Sequence, residues 1–222
     1  MCGRFALTTD ADTLQQQFHV AAVAPVTPRY NIAPTQEIIA ICQNGDGYRH
    51  VKTLRWGLVP PWANDSTIGA RMINARSETV HEKPSFRQPI RYHRCLIPAS
   101  GFIEWLRQPD GSKQPYYIQR KDGELLAMAG IWDTWKGSEQ IIESCSILTT
   151  HANNLIATLH DRMPVLLSPS EYDQWLDRNI NDPQQLMGMY TPYPSETLRA
   201  TPISPLINNP RHDSPDCLAS VS

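Results

Sequence analysis

The chain opens Met1-Cys2-Gly3-Arg4-Phe5. A cysteine followed by glycine is small enough for methionine removal, and if Met1 leaves, Cys2 carries a free α-amine and a thiol on adjacent carbons. An α-amine titrates near about 7.7–8.0, so roughly a tenth of it is neutral at pH 7 and able to attack a carbonyl, unlike a lysine near about 10.4. The thiol lies within reach of the imine so formed. Its addition closes a five-membered thiazolidine ring and turns a reversible Schiff base into a stable linkage. The alternative is that Cys2 is only a small second residue.

Three further stretches hold residues suited to such chemistry. In Ser100-Gly101-Phe102-Ile103-Glu104-Trp105, strand alternation puts Glu104 on the face of Phe102 and Leu106. A carboxylate in an apolar run has its pKa raised toward neutrality and can both donate and accept protons; the alternative is a structural ion pair with a buried arginine. In Ile73-Asn74-Ala75-Arg76, alternation places Asn74 and Arg76 on one face, an amide to orient a reacting group beside a guanidinium that can hold phosphate. A purely structural pair fits as well. In Leu159-His160-Asp161-Arg162-Met163-Pro164, His160 at a helix C-terminus would be favoured in its charged form and shuttle protons near pH 7, with Arg162 as another phosphate contact. A satisfied structural histidine is the competing reading. Pro34 and Trp62, stiff groups on loops, could wedge against or stack on bases, or pack in the core.

Composition limits the partners. With 222 residues, 41% hydrophobic and 19% charged, the chain reads as one globular domain spanning residues 1–222. No apolar run approaches the roughly 20 residues of a membrane span, and acidic residues soon after Leu7 exclude a secretory signal. Five cysteines without a C-x-x-C pair argue against a disulfide framework or zinc site and for a reducing cytoplasm. Net charge is −2, yet residues 1–120 hold 14 Lys and Arg against 9 Asp and Glu, and residues 121–222 hold 6 against 13. A basic face on a slightly acidic body follows. There is no P-loop, G-x-G-x-x-G or H-E-x-x-H, so neither a nucleotide cofactor nor a metal is expected.

The elements that must position these residues are mostly strands. Thr9 or Asp10 caps a helix with Leu14 and Phe18 on its buried side, and the proline-rich residues 25–35 read as an ordered loop. Asn44-Gly45-Asp46-Gly47 separates two strands of a hairpin, and four or five strands follow between residues 94 and 150. Residues 151–160 read as a helix. Ser168-Pro169-Ser170-Glu171 is a capping box, Asp182-Pro183 starts another helix, and the Pro-, Asn- and Ser-rich tail from about residue 206 is expected to lie irregularly on the surface. The sum is an α+β fold: a curved, mostly antiparallel sheet or partly open barrel with peripheral helices.

Together the N-terminal Cys2 segment, Tyr30-Asn31-Ile32-Ala33-Pro34, Arg55-Trp56-Gly57-Leu58-Val59-Pro60, Ile73-Asn74-Ala75-Arg76-Ser77-Glu78, Gly101-Phe102-Ile103-Glu104-Trp105 and His160-Asp161-Arg162-Met163-Pro164 resemble the SOS response-associated peptidase family, over residues 2 to about 210. The resemblance implies a protein that crosslinks covalently to abasic sites in single-stranded DNA during the damage response, acting as a cytoplasmic, nucleoid-associated monomer. It implies Cys2 as the linking residue, Glu104 as acid/base, His160 in proton transfer and Asn74 lining the pocket. Arg4, Arg76 and Arg162 would hold phosphates, with Trp62 and Pro34 against bases. Ala63 stands where some relatives have an aromatic residue. Two other functions fit the residues: an N-terminal-nucleophile thiol peptidase using Cys2 with His160, which could itself release Met1, and a non-catalytic single-strand binding module.

Overall fold

In the computed structural model, residues 2–221 are described. In chain order their elements are β1 (Phe5–Leu7), α1 (Ala11–Phe18), β2 (Arg29–Ile32), β3 (Glu37–Gln43), β4 (Arg49–Trp56), β5 (Asn74–Arg76), α2 (Pro89–Tyr92), β6 (Arg94–Ala99), β7 (Gly101–Arg107), β8 (Lys113–Arg120), β9 (Leu126–Lys136), β10 (Ile141–His151), β11 (Arg162–Pro164), β12 (Leu166–Leu167), α3 (Tyr172–Leu176) and β13 (Leu198–Pro202). Short 3-10 turns fill several of the connections.

Strands β4, β3, β6, β9 and β10 pair in that order, and β10 pairs back onto β4, so the expected α+β fold with a curved, mostly antiparallel sheet closes into a five-stranded barrel. Closure depends on the length of β9, which pairs β6 along its first half and β10 along its second, from Gly130 to Lys136. Pairing is mostly antiparallel, as the short connections require; β10 runs parallel to β4 and to β5. The β3–β4 hairpin turns where Asn44 accepts bonds from the N–H groups of Asp46 and Tyr48, and Gly47 takes φ 84°, a conformation that favours glycine.

A second sheet, ordered β13-β8-β7-β1-β2, lies against the barrel. Phe5 of β1 meets Trp56 of β4 edge to face, with ring centroids 5.2 Å apart, and both are buried. Burying two such rings stabilises by about 2–3 kcal/mol each, and it ties the start of the chain to the barrel wall.

The structure corrects three expectations. Residues 151–160 are not a helix: β10 extends to His151, and only Ile156–Thr158 forms a 3-10 turn. Asn153 accounts for this, since its Oδ1 accepts from Ile156 N–H and its Nδ2 donates to Tyr193 O, bonds that compete with a helical ladder. The proline-rich loop contains β2, an edge strand, where a preceding proline is tolerated. The tail is docked, with Ile207 and Cys217 buried in a small cluster beside Ala6, Ile103 and Tyr117. Asp182 starts a helix as read, its side chain accepting from Gln184 N–H with Pro183 at the first position, and the helix, Pro183–Tyr190, is of the 3-10 type. The capping box forms as read, Ser168 and Glu171 holding each other. Among the described residues, no helix is long and apolar enough to cross a membrane.

Candidate active site

Cys2 precedes β1 and is fully buried. Its carbonyl accepts a bond from Asn74 Nδ2 at 2.8 Å, so β5, laid parallel on β10 with Asn74 opposite Ile147, fixes the start of the chain. The oxygen of that amide, Asn74 Oδ1, is buried without a hydrogen-bond partner among the described residues. A buried acceptor left open beside a nucleophile is ready for a donor on a ligand.

β7 lies on the other side of β1. Phe5 pairs with Phe102, and Ile103 N–H donates to Arg4 O at 2.9 Å. The same antiparallel register, carried one residue further, brings Glu104 opposite Gly3 and next to Cys2. Burial pushes the Cys2 thiol far above its usual range, and the nearby charge of Glu104 adds to the effect. At neutral pH this sulfur carries its proton.

Glu104 is 2% exposed. Burial pushes its carboxyl up to about 7, and the negative charge of Asp161 works in the same direction. The two arginines buried most deeply are occupied elsewhere, Arg94 by the carbonyls of Ile90, Arg91, Trp175 and Asp177, and Arg162 by Glu78. Neither of these buried guanidinium groups is therefore available for the ion-pair alternative at Glu104.

β10 pairs with β11, and that hairpin carries the His160 segment to the same end of the molecule. His160 Nδ1 lies 3.0 Å from Arg162 N–H and 2.7 Å from Asp161 Oδ1. It can accept from Arg162 only when unprotonated and donate to Asp161 only when protonated, so the tautomer decides which contact it keeps. Burial lowers the imidazole's pKa, and the ring is neutral at pH 7. This reverses the expectation of a favoured charged form, which required a helix end that the chain does not make.

The three arginines expected to hold phosphate differ. Arg76 is exposed, and among the described residues its side chain makes no hydrogen bond or ion pair, while its carbonyl accepts from Thr79 N–H. Arg4 is half-buried, with Nη1 donating to Asn31 Oδ1 and Ile207 O. Arg162 is 5% exposed and its terminal nitrogens are bound to the Glu78 carboxylate at 2.6 and 2.8 Å and to Thr149. A phosphate contact from Arg162 would require breaking that pair. Trp62 is 57% exposed, which removes its core alternative, and Pro34 is half-buried beside Thr35, a β-branched residue at φ 72°. That conformation strains a non-glycine residue and fixes the turn around Pro34.

Thus Asn74 holds Cys2, the charge of Glu104 reaches Cys2, and Asp161, in contact with His160, reaches Glu104, while Arg76 is exposed two residues along β5 from Asn74. Sequence reasoning passed over Asp161, whose charge reaches both Glu104 and His160, and Glu78; each sits inside a motif that had drawn notice for its neighbours. Among the described residues no group of three or more His, Cys, Asp and Glu side chains could hold a metal ion.

The profile of the SOS response associated peptidase (SRAP) family matches residues 1–210. The chain is similar to the abasic site processing protein YoqW of Bacillus subtilis (strain 168), 42% identical over 224 residues that cover 99% of this chain and 100% of that protein. It is also similar to the abasic site processing protein HMCES of Rattus norvegicus, 34% identical over 202 residues, 77% of this chain and 57% of that one. Among solved structures, a protein from Bacteroides thetaiotaomicron superposes with a TM-score of 0.82 at 27% identity, covering 100% of both chains. Six ordered motifs, a matching fold and a family profile spanning nearly the whole length agree: the chain belongs to the SRAP family.

Proposed function

We propose that this protein processes abasic sites in DNA by forming a covalent thiazolidine crosslink between Cys2 and the ring-opened sugar. The names of its relatives support the abasic site as substrate. The observation that most supports the chemistry is a buried carboxyl, poised near pH 7, beside a buried cysteine at the start of the chain. Removal of Met1 is the step that exposes the amine, and it lies outside the described residues.

The reaction follows from the proton each group holds. The neutral Cys2 amine attacks the C1′ aldehyde, giving a carbinolamine. Protonated Glu104 donates to the carbinolamine hydroxyl, which leaves as water as the iminium forms. Glu104, now a carboxylate, accepts the proton of the Cys2 thiol as sulfur bonds to C1′. The carboxyl ends as it began, and the net change is aldehyde plus aminothiol giving thiazolidine plus water. A pKa near neutrality suits a group that must act in both directions, and a thiol held in its protonated form needs such an acceptor.

The other residues fit supporting parts. Asn74 anchors the Cys2 carbonyl through Nδ2, and its open Oδ1 would accept a sugar hydroxyl. The neutral His160 would pass a proton to or from the sugar during ring opening. Arg76 would hold a flanking phosphate, while Trp62 and Pro34 would support unstacked bases of a single strand. A denaturing gel tests the reading: Met1-free protein mixed with a single-stranded oligonucleotide bearing an abasic site should give a slower, stable band that Cys2→Ala lacks. No band from the wild type, or an equal band from Cys2→Ala, would overturn it.

A further inference from the structure

The Tyr30-Asn31 motif is left without a part in this chemistry, although Asn31 is completely buried. Its Nδ2 faces three carbonyls of the C-terminal segment, Ile207 O at 3.2 Å, Asn209 O at 3.0 Å and His212 O at 2.6 Å. Its Oδ1 accepts from Arg4 Nη1, which also donates to Ile207 O. Asp213 completes the attachment, its Oδ1 accepting from the N–H groups of Tyr30 and Asn31 and its Oδ2 from Arg29 Nε. From the same segment, Asn208 Oδ1 accepts from Trp105 Nε1 at 2.8 Å.

These bonds end next to the reacting groups. Arg4 lies two residues after Cys2, and Trp105 immediately follows Glu104. The guanidinium of Arg4 lies over the Trp105 ring, 5.9 Å from its centroid, joining the two attachments. The 3-10 turn Pro205–Asn208 is therefore bound to the segment just before β1 that bears the nucleophile and to the strand that bears the acid. Ile207 and Cys217 pack with Ile103 on the far side of β7 from Glu104, so that face cannot shift without opening the small cluster.

We infer that residues 205–213 form a brace across β1 and β7, and that Asn31, its hub, is a positioning residue that sets Glu104 against Cys2 for the crosslinking proposed above. A buried amide suits a hub because it has no charge to desolvate, and one side chain can hold a guanidinium on its oxygen and a run of carbonyls on its nitrogen. Aspartate in its place would keep the size but present only acceptors to the three carbonyls.

The test uses Met1-free full-length protein and a single-stranded abasic oligonucleotide. Single-turnover crosslinking rates are measured between about pH 5.5 and 9, with the Kd for an intact oligonucleotide and the Tm alongside. Asn31→Ala and Asn31→Asp should slow crosslinking by about tenfold or more and displace the pH midpoint, while Kd stays within about twofold. Should these variants fail to fold, Trp105→Phe and Asn208→Ala carry the test. Each removes one bond and should slow the reaction about threefold, and the double variant should lose no more than either alone. Wild-type rates and pH midpoints in all of them, or rate losses that only follow the folded fraction, would overturn the brace. If the wild type itself forms no crosslink, the functional reading falls and the brace with it; if the wild type reacts and the variants match it, only the brace falls.

Discussion

Glu104 and Glu78 both lie within reach of the 160–164 segment, yet their surroundings drive them in opposite directions. Glu78 accepts two bonds from the guanidinium of Arg162, which hold its carboxyl below the usual range. Glu104, shut away from water and near the charge of Asp161, is pushed up to about 7. One carboxylate is fixed as an anion and serves the structure. The other sits between its two protonation states and is suited to proton transfer. What distinguishes them is burial and the position of an arginine: Glu104 is shut from water, whereas Glu78 is partly exposed and bound by Arg162.

The largest effect that would break this contrast is on rate. Glu104→Gln should slow crosslinking by about 10²–10⁴-fold and flatten the pH profile around neutrality, measured by single-turnover gel assay. A full rate in that variant would remove Glu104 from the acid/base part.

Stability sharpens the comparison, because the two glutamates should change it with opposite signs. Glu78→Ala leaves the Arg162 side chain, 7% exposed, as a buried charge without its carboxylate, and should cost about 3 kcal/mol in urea unfolding at neutral pH. Glu104 works the other way. Its folded pKa of about 7 exceeds the ordinary glutamate value of 4.5, so the folded protein binds the proton more tightly than the unfolded chain does. The group costs nothing below pH 4.5 and destabilises progressively as pH rises to 7. Glu104→Gln should thus stabilise by up to about 3 kcal/mol at pH 8 and by almost nothing at pH 4, read by the same unfolding curves.

The smallest effect concerns the arginines. Arg76→Ala should lower the salt dependence of single-strand binding, reducing the slope of log affinity against log salt by about 0.7, as loss of one phosphate contact would. An unchanged slope would show that Arg76 does not hold phosphate.

Much of the site could be read from the sequence where a local rule applied. Period-2 alternation placed Glu104 inward and Asn74 with Arg76 on one face, and the Asn44–Gly47 turn announced its hairpin. What could not be read locally was which side chains meet across the fold. The Asn74–Cys2 bond spans 72 residues and the Arg162–Glu78 pair spans 84, so nothing around Arg162 revealed that it was already occupied. Residues 151–160 read as a helix, but Asn153 had a carbonyl to hold 40 residues away. The tail looked like surface because it is polar, whereas its carbonyls are the ligands of a buried amide, 176 to 181 residues distant. Closure of the barrel likewise rests on β9 serving two partners, which no periodicity displays.

The central claim is that the amine of Cys2 starts the reaction and its thiol makes the product last. Intact-mass spectrometry of Met1-free protein reacted with an abasic oligonucleotide, with and without borohydride, tests it directly. The expected adduct equals the two components less one water and is unchanged by borohydride, while a Cys2→Ser variant is trapped only when borohydride is present. A wild-type adduct that gains two hydrogens under borohydride would be an open imine, and would contradict that claim.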